Sequence, residues 1–350
     1  MPLTLFEIMV AKTYDEERDF DLSQKFDELL ERLQPVNYET ISDAIILQLI
    51  ALILKKECKK QIILKIGKKE FIDTWPAAVG ALEQSVEYFR NRFGIPVSAL
   101  LPYNALLVPF SYYFFNHPDN PNATQRKYLE DFFWRVSLGG RYSSSVESKL
   151  AQDIRRIDNI LSDASPDYDW GIDISHDFIL ENGWFNTGRS FVKAILCLYA
   201  HHAPKSFRDN SSVNISNNWL KQSNSKNYHH FFPKSYLSKK GEDDWRINNA
   251  VNITIVDDYL NKRDIGAKPP SRYMKAFARE NDEIDETMKT HFINDLDAFG
   301  VWSDDFDKFL DMRSKAISRE LKKRIVPREI DKQGQISTAS DVEEEAASFE

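Results

Sequence analysis

From Phe20 to about Phe207, apolar residues return at three- and four-residue spacings with charged residues between them. Phe26, Leu29, Leu30 and Leu33 form one such stripe. No repeating strand–helix alternation runs through this stretch. A chain patterned this way buries its stripes helix against helix, so a mainly α fold with at most a small sheet is expected. The spacing predicts a helix over Ile41–Lys55, capped by Ser42 or Thr40. Asp73-Thr74-Trp75-Pro76 reads as the first turn of another, which carries Val79, Leu82, Val86, Phe89 and Phe93 to a stop at Gly94. Val97–Phe115, Thr124–Leu138, Glu147–Leu161 and Ser190–Ala200 complete the set. Thr4–Val10 and Gln61–Ile66 read as short β-like stretches. The aromatic run Tyr112-Tyr113-Phe114-Phe115 reads as core, and Arg141-Tyr142-Ser143-Ser144-Ser145 as a loop with a helix cap.

At 350 residues the chain exceeds one comfortable core, so two domains and a tail are expected. Its 42% hydrophobic and 29% charged residues are those of a globular protein. The longest apolar stretch, Ala44–Leu54, holds Gln48 and runs into Lys55-Lys56. That is about half of what a membrane span needs, so it predicts a buried helix. Two cysteines, Cys58 and Cys197, lie in helix-like apolar settings and are too few for a disulfide framework or zinc ribbon. With no signal peptide, the expectation is an intracellular, cytoplasmic protein with free thiols and no membrane attachment.

The formal charge of −8 is unevenly spread. Residues 331–350 hold six acids against Lys332, which predicts a solvated, disordered tail over 328–350. Residues 205–227 are rich in Asn and Ser and read as an interdomain connection. After it the sign changes: Lys221–Lys275 carries eleven Lys or Arg against six Asp or Glu, interleaved with Tyr228, Phe231, Phe232, Tyr236 and Trp245. Basic charge mixed with aromatics is a footprint of nucleic-acid binding, though basic patches alone are common. No G-x-x-x-x-G-K-[ST] loop and no G-x-G-x-x-G turn is present. The expected organisation is a helical domain over 1–205, a second domain over 206–327 and the tail.

Within the basic segment stand His229-His230-Phe231-Phe232-Pro233, Asn252-Ile253-Thr254-Ile255-Val256 and Asn261-Lys262-Arg263. Asn252 follows His230 by 22 residues and Asn261 follows Asn252 by nine. The first piece reads as a strand ended by Pro233 and the second as a β-branched strand. The third reads as a helix from Asp257-Asp258 to Gly266, with two acids at its N-terminus and a glycine at its end. Strand, strand and helix would bring an imidazole and two side-chain amides together.

This constellation resembles an HNH nuclease of ββα-metal type, and most closely the C-terminal domain of the GmrSD family, Type IV restriction enzymes that cut modified DNA. Gly266-x-Lys268-Pro269-Pro270-Ser271-x-Tyr273 downstream is similar to the family too. So are Pro2-Leu3-Thr4-x-Phe6-Glu7 and Leu101-Pro102-Tyr103 in the helical half, which extends the resemblance to about residue 325. It implies a metal-dependent DNA endonuclease of an anti-phage restriction system, a phosphodiester hydrolase. His230 would be the catalytic general base, neutral near physiological pH and able to take a proton from water. Asn252, also catalytic in this pattern, would orient the loop and the base. His229 and Asn261 would hold one divalent cation (Mg²⁺, Mn²⁺ or Ni²⁺), whose role is to stabilise the leaving 3′ oxygen. Lys234, Lys262 and Arg263 would contact DNA phosphates.

Two positions depart from the family pattern. Asn261 stands where many such enzymes have His, and His229 where most have a carboxylate. Neutral donors weaken the hold on a hard cation such as Mg²⁺ and favour softer ions. The Asp-Gly-Gln-Gln-Arg motif of the ParB-like nucleotide-hydrolase domain that opens long family members does not occur. The expectation is that a separate subunit supplies that domain, or that the sequence is a fragment. A second function class stays open beside the nuclease: a non-catalytic nucleic-acid-binding or regulatory subunit with a degenerate HNH site.

Overall fold

The computed structural model describes residues 3–217, 220, 228–256 and 265–332. The described residues are mainly helical, with one two-stranded sheet. They divide into two compact units. The first comprises Met1–Phe93, Tyr103–Val136 and Gly140–Asp169; the second takes Gly94–Pro102, Ser137–Gly139 and the chain from Trp170. The division falls earlier than composition suggests. Helices on either side of residue 190 pack with the second unit, although the Asn- and Ser-rich stretch follows them in sequence.

The first unit contains α1 (Leu5–Thr13), α2 (Leu22–Leu33), α3 (Asp43–Lys55), α4 (Lys60–Ile63), α5 (Lys68–Arg92), α6 (Leu107–Asn116), α7 (Ala123–Leu138, as far as Val136) and α8 (Val146–Leu161). Both stretches that read as β-like are helical. The Thr4 hydroxyl accepts from the Glu7 amide at 3.2 Å while the Glu7 carboxylate accepts from the Thr4 amide at 2.7 Å. This reciprocal cap starts α1 inside Thr4–Val10. Gln61–Ile66 holds the single turn α4. α5 begins at Lys68 rather than at Pro76, and Pro76 lies inside it. Burial of Phe71, Ile72 and Trp75 on the preceding turns offsets the hydrogen bond that proline cannot donate. The run Val97–Phe115 is split: tight turns at Ser98–Leu100 and Asn104–Leu106 precede α6.

Aromatic side chains fill this unit's centre. Phe93 stacks on Phe133 at 4.4 Å between centroids, and Phe89 meets Phe110 edge-on at 4.8 Å. Tyr112, Tyr113 and Phe114 are buried, as core residues should be. Arg141 is structural as well: it donates to the fully buried Asp153 at 2.9 Å, and the Tyr142 hydroxyl joins the same carboxylate at 2.8 Å.

The second unit contains α9 (His176–Asn182), α10 (Ser190–His201), β1 (Tyr228–His230), α11 (Lys234–Lys239), α12 (Asp244–Ile247), β2 (Ile253–Ile255), α13 (Pro270–Glu280), α14 (Ile284–Lys289) and α15 (Phe306–Lys322). β1 and β2 pair antiparallel with Tyr228 opposite Ile255, His229 opposite Thr254 and His230 opposite Ile253. α10 packs on β2, and α15 packs on α9 and on the turn before β2. Between Glu283 and Phe299 the α-helix is limited to α14. It stops at Thr290, and Phe292 follows with a left-handed φ of 61° that no helix accommodates. Asp331 accepts from the Arg328 amide at 2.8 Å and the Ile172 amide at 3.3 Å, so residues 328–331 are seated on this unit rather than part of a loose tail. Residues 333–350 lie outside the described residues.

Both cysteines are buried free thiols. Among the described residues no helix is long and apolar enough to cross a membrane.

Candidate active site around His230

Three short elements converge on His230. β1 delivers it at its C-terminal end, and Pro233 then closes the strand and begins α11. α12 is started by Asp243, whose side chain accepts from the Trp245 amide at 2.9 Å, and is ended by Asn248. The Asn248 side chain turns back on its own helix: Nδ2 donates to the Asp244 carbonyl at 3.0 Å. Its Oδ1 then lies 3.0 Å from His230 Nε2.

That geometry determines the tautomer. The Asp244 carbonyl can only accept, so the Asn248 amide must present its oxygen to the imidazole. An amide oxygen carries no proton, so Nε2 donates, and the neutral ring keeps its lone pair on Nδ1. Burial lowers the His230 pKa below the ordinary histidine value, and the Lys234 charge lowers it further. The Asn248 hydrogen bond and Asp244 pull the other way, more weakly than burial. His230 is a half-buried imidazole, neutral at physiological pH, with Nδ1 as its basic atom.

Asn252 is fully buried and holds the chain that leaves His230. Its Oδ1 accepts from the Phe232 amide at 2.9 Å, and its Nδ2 donates to the Phe232 and Ile247 carbonyls, both at 3.0 Å. The Phe231 amide donates to the Asn252 carbonyl at 2.8 Å. Tyr273 adds a bond from its hydroxyl to the Phe231 carbonyl at 2.5 Å, and Phe231 stacks on Phe309 at 4.8 Å. Asn252 thus joins the end of α12 to the loop after β1, and acts on His230 through backbone position. Asn252→Ala is expected to cost about 3 kcal/mol, because three buried backbone groups lose their partner at once. The midpoint of urea unfolding checks this.

His229 is buried, on the side of its cross-strand neighbour Thr254. Lys234 opens α11 and pairs with Asp244 at 3.0 Å, both half exposed, a contact that is worth little. Asn261, Lys262 and Arg263 lie outside the described residues, with the rest of 257–264. Among the described residues there is no group of three or more His, Cys, Asp or Glu that could hold a metal ion. The expected pair offers one imidazole, His229, and no carboxylate, a donor chemistry that fits a borderline cation such as Ni²⁺ better than Mg²⁺.

Four contributors were not singled out from the sequence. Asn248 orients His230. Asn249 ties the site to the loop after α9: its Nδ2 donates to the Leu180 carbonyl at 2.8 Å, and its Oδ1 accepts from the Val251 amide at 3.0 Å. Gly183 is required beside it, since a Cβ there would collide with Asn249 Oδ1 and meet the Ile179 carbonyl at 2.7 Å. Arg313, on α15 and 1% exposed, donates to the Val251, Ile253 and His291 carbonyls at 2.6, 2.8 and 3.1 Å. The paired asparagines Asn248-Asn249 before an apolar strand were a visible signal; nothing local marks Arg313.

Residues 174–320 match the family model described as GmrSD restriction endonucleases, C-terminal domain. The chain is also 24% identical to an uncharacterized protein of Methanocaldococcus jannaschii over 91% of its own length and 59% of the relative's. It therefore spans about three-fifths of the curated relative that it matches. His229, His230, Asn248, Asn252 and Arg313 all fall within the matched segment.

Proposed function

We propose, from the match of residues 174–320 to the family model of GmrSD restriction endonucleases, C-terminal domain, that this region is an HNH-type DNA endonuclease acting in restriction of foreign DNA. The observation that carries the proposal is the state of His230: a half-buried neutral imidazole, anchored at Nε2 by Asn248, with its basic Nδ1 left for a proton. In this reading His230 Nδ1 takes a proton from a water as that water's oxygen attacks the scissile phosphorus. Asn252 positions the loop that carries the base. Lys234, Lys262 and Arg263 hold phosphates without reading sequence. A divalent cation, in this proposal held by His229 and Asn261, would supply Lewis-acid stabilisation of charge on the leaving 3′ oxygen. DNA is the proposed partner; any requirement for base modification, and a separate nucleotide-hydrolase subunit, belong to the same proposal.

The test is supercoiled plasmid, unmodified and carrying modified cytosines, incubated with the protein and Mg²⁺, Mn²⁺, Ni²⁺ or EDTA. Nicked and linear products with a cation and none with EDTA are expected. Tight DNA binding with no cleavage under any cation would favour a non-catalytic nucleic-acid-binding subunit instead.

The pH dependence follows from the direction of the shift. A base with a lowered pKa stays deprotonated further into acid, so the midpoint of the acid limb of cleavage should lie below the ordinary histidine value of 6.5. Asn248→Asp places a carboxylate on the imidazole, which stabilises the protonated ring, raises its pKa and moves the acid limb to higher pH. A pH–rate profile of the two proteins checks both statements.

A further inference from the structure

Beside His230 stands an aromatic surface that the hydrolytic scheme does not use. The rings of Trp184 and Trp245 are stacked, 5.1 Å between centroids and 22° from parallel. Trp245 is 43% exposed, one of three exposed large hydrophobic side chains among the described residues, with Leu3 and Tyr14. Tryptophan carries more apolar area than any other side chain, and one left two-fifths bare on top of a second is a standing cost unless something covers it.

Both rings are tied to the residues that hold His230. Trp245 lies three positions before Asn248 on α12, the spacing that puts two side chains on one helical face. Trp184 is bridged antiparallel to Asn249, the Phe185 amide donates to the Asn248 carbonyl at 2.7 Å, and the Ala250 amide donates to the Gly183 carbonyl at 2.6 Å. The stack is therefore rigid and fixed in register with the Asn248–His230 contact. Around it, residues 234–246 carry Lys234, Lys239, Lys240 and Arg246 against Glu242, Asp243 and Asp244. Lys234 and Arg246 are spent on exposed ion pairs with acids of this segment and with Asp307. The charge is mixed, so the flat π face is the dominant feature, inside a longer segment that is net basic.

We propose that the Trp184–Trp245 stack is a platform for one unpaired nucleobase of the strand held at His230, so that the preferred substrate presents a single-stranded or opened nucleotide next to the scissile phosphate. This rests on the nuclease reading for its placement beside the cut, but not for the binding itself. A base within a duplex has both faces covered by its neighbours and cannot lie on an aromatic side chain, whereas a splayed base can, whatever its identity. Trp245 on α12 and His230 are linked through Asn248, which ends α12 and lies 3.0 Å from the imidazole, so the platform and the base sit on one short piece of framework.

The experiment is fluorescence-anisotropy binding of the full chain, in EDTA so that nothing is cut, to a labelled twelve-nucleotide thymidine oligomer and to a duplex of equal length. Trp245→Ala is expected to weaken single-strand binding about ten- to a hundredfold while leaving duplex binding within about twofold, and Trp245→Phe to restore most of the loss. Independently of any variant, replacing the oligomer's bases with abasic sites should cost the wild-type protein a similar factor. Unchanged single-strand affinity in Trp245→Ala, equal losses on single strand and duplex, or indifference to abasic sites would each overturn the platform. The outcome is separable from the nuclease reading. Plasmid cleavage with no effect of Trp245 removes only the platform, and Trp245-dependent single-strand binding without cleavage removes only the nuclease.

Discussion

Replacing His230 by alanine is expected to reduce DNA cleavage 10²–10⁴-fold, the usual worth of general-base catalysis, with DNA affinity nearly unchanged. The size of the effect comes from the arrangement of the ring. Nε2 is committed to Asn248, which leaves Nδ1 as the basic atom, and alanine removes both nitrogens at once. Affinity should persist because the phosphate contacts proposed for Lys234, Lys262 and Arg263 do not involve the ring. Stability should persist too: His230 is half buried at the end of β1, and water can reach the half-exposed Asn248 oxygen once the ring is gone. Cleavage rates under single-turnover conditions, anisotropy with duplex DNA and a thermal melt together separate loss of chemistry from loss of fold. Added imidazole should return part of the activity by occupying the emptied space. Wild-type cleavage by His230→Ala would end the mechanism.

Arg313→Ala should have the largest effect on stability, about 3–5 kcal/mol. The guanidinium is 1% exposed and donates to three backbone carbonyls, of Val251, Ile253 and His291. It lies against the Tyr199 ring at 4.8 Å from its centroid. Alanine leaves all three carbonyls without their donor and opens a cavity between α15 and β2. For a unit of this size the loss corresponds to a fall of roughly 10 °C in Tm. Lysine should rescue little, since a single ammonium on a flexible stem cannot reproduce a planar fork across separated carbonyls. Two of the orphaned groups flank Asn252 and begin β2, so cleavage should fall with stability even at temperatures where the variant is folded. A melt within 2 °C of wild type would show that the three bonds contribute little.

What the sequence determined by itself is what short-range physics writes into neighbouring residues. Three- and four-residue apolar spacing marks α2, α3, α7, α8 and α10 because one turn of helix brings such positions onto one face. β-branched Ile253-Thr254-Ile255 and the proline after His229-His230 marked β1 and β2, and with them the nearness of His230 and Asn252. Local signals misled where a tertiary partner outweighed them. Thr4–Val10 became helix through one reciprocal cap. α5 ran through Pro76 because the turns before it are buried. The continuous part of the second unit starts at Trp170, not after the polar connection, because α10 covers β2.

Only the tertiary structure decided which atoms meet at the site. His230 is fixed as a neutral ring with a basic Nδ1 by an amide 18 residues away. The turn that carries Asn252 into β2 is tied down by an arginine some 60 residues later. Trp184 comes to lie on Trp245 through a loop whose backbone pairs with residues 248–250. Such contacts leave no periodic trace. A hydrogen bond or a ring stack between distant residues is selected by the packing of every element between them, whereas a helical face or a cap is selected within one turn.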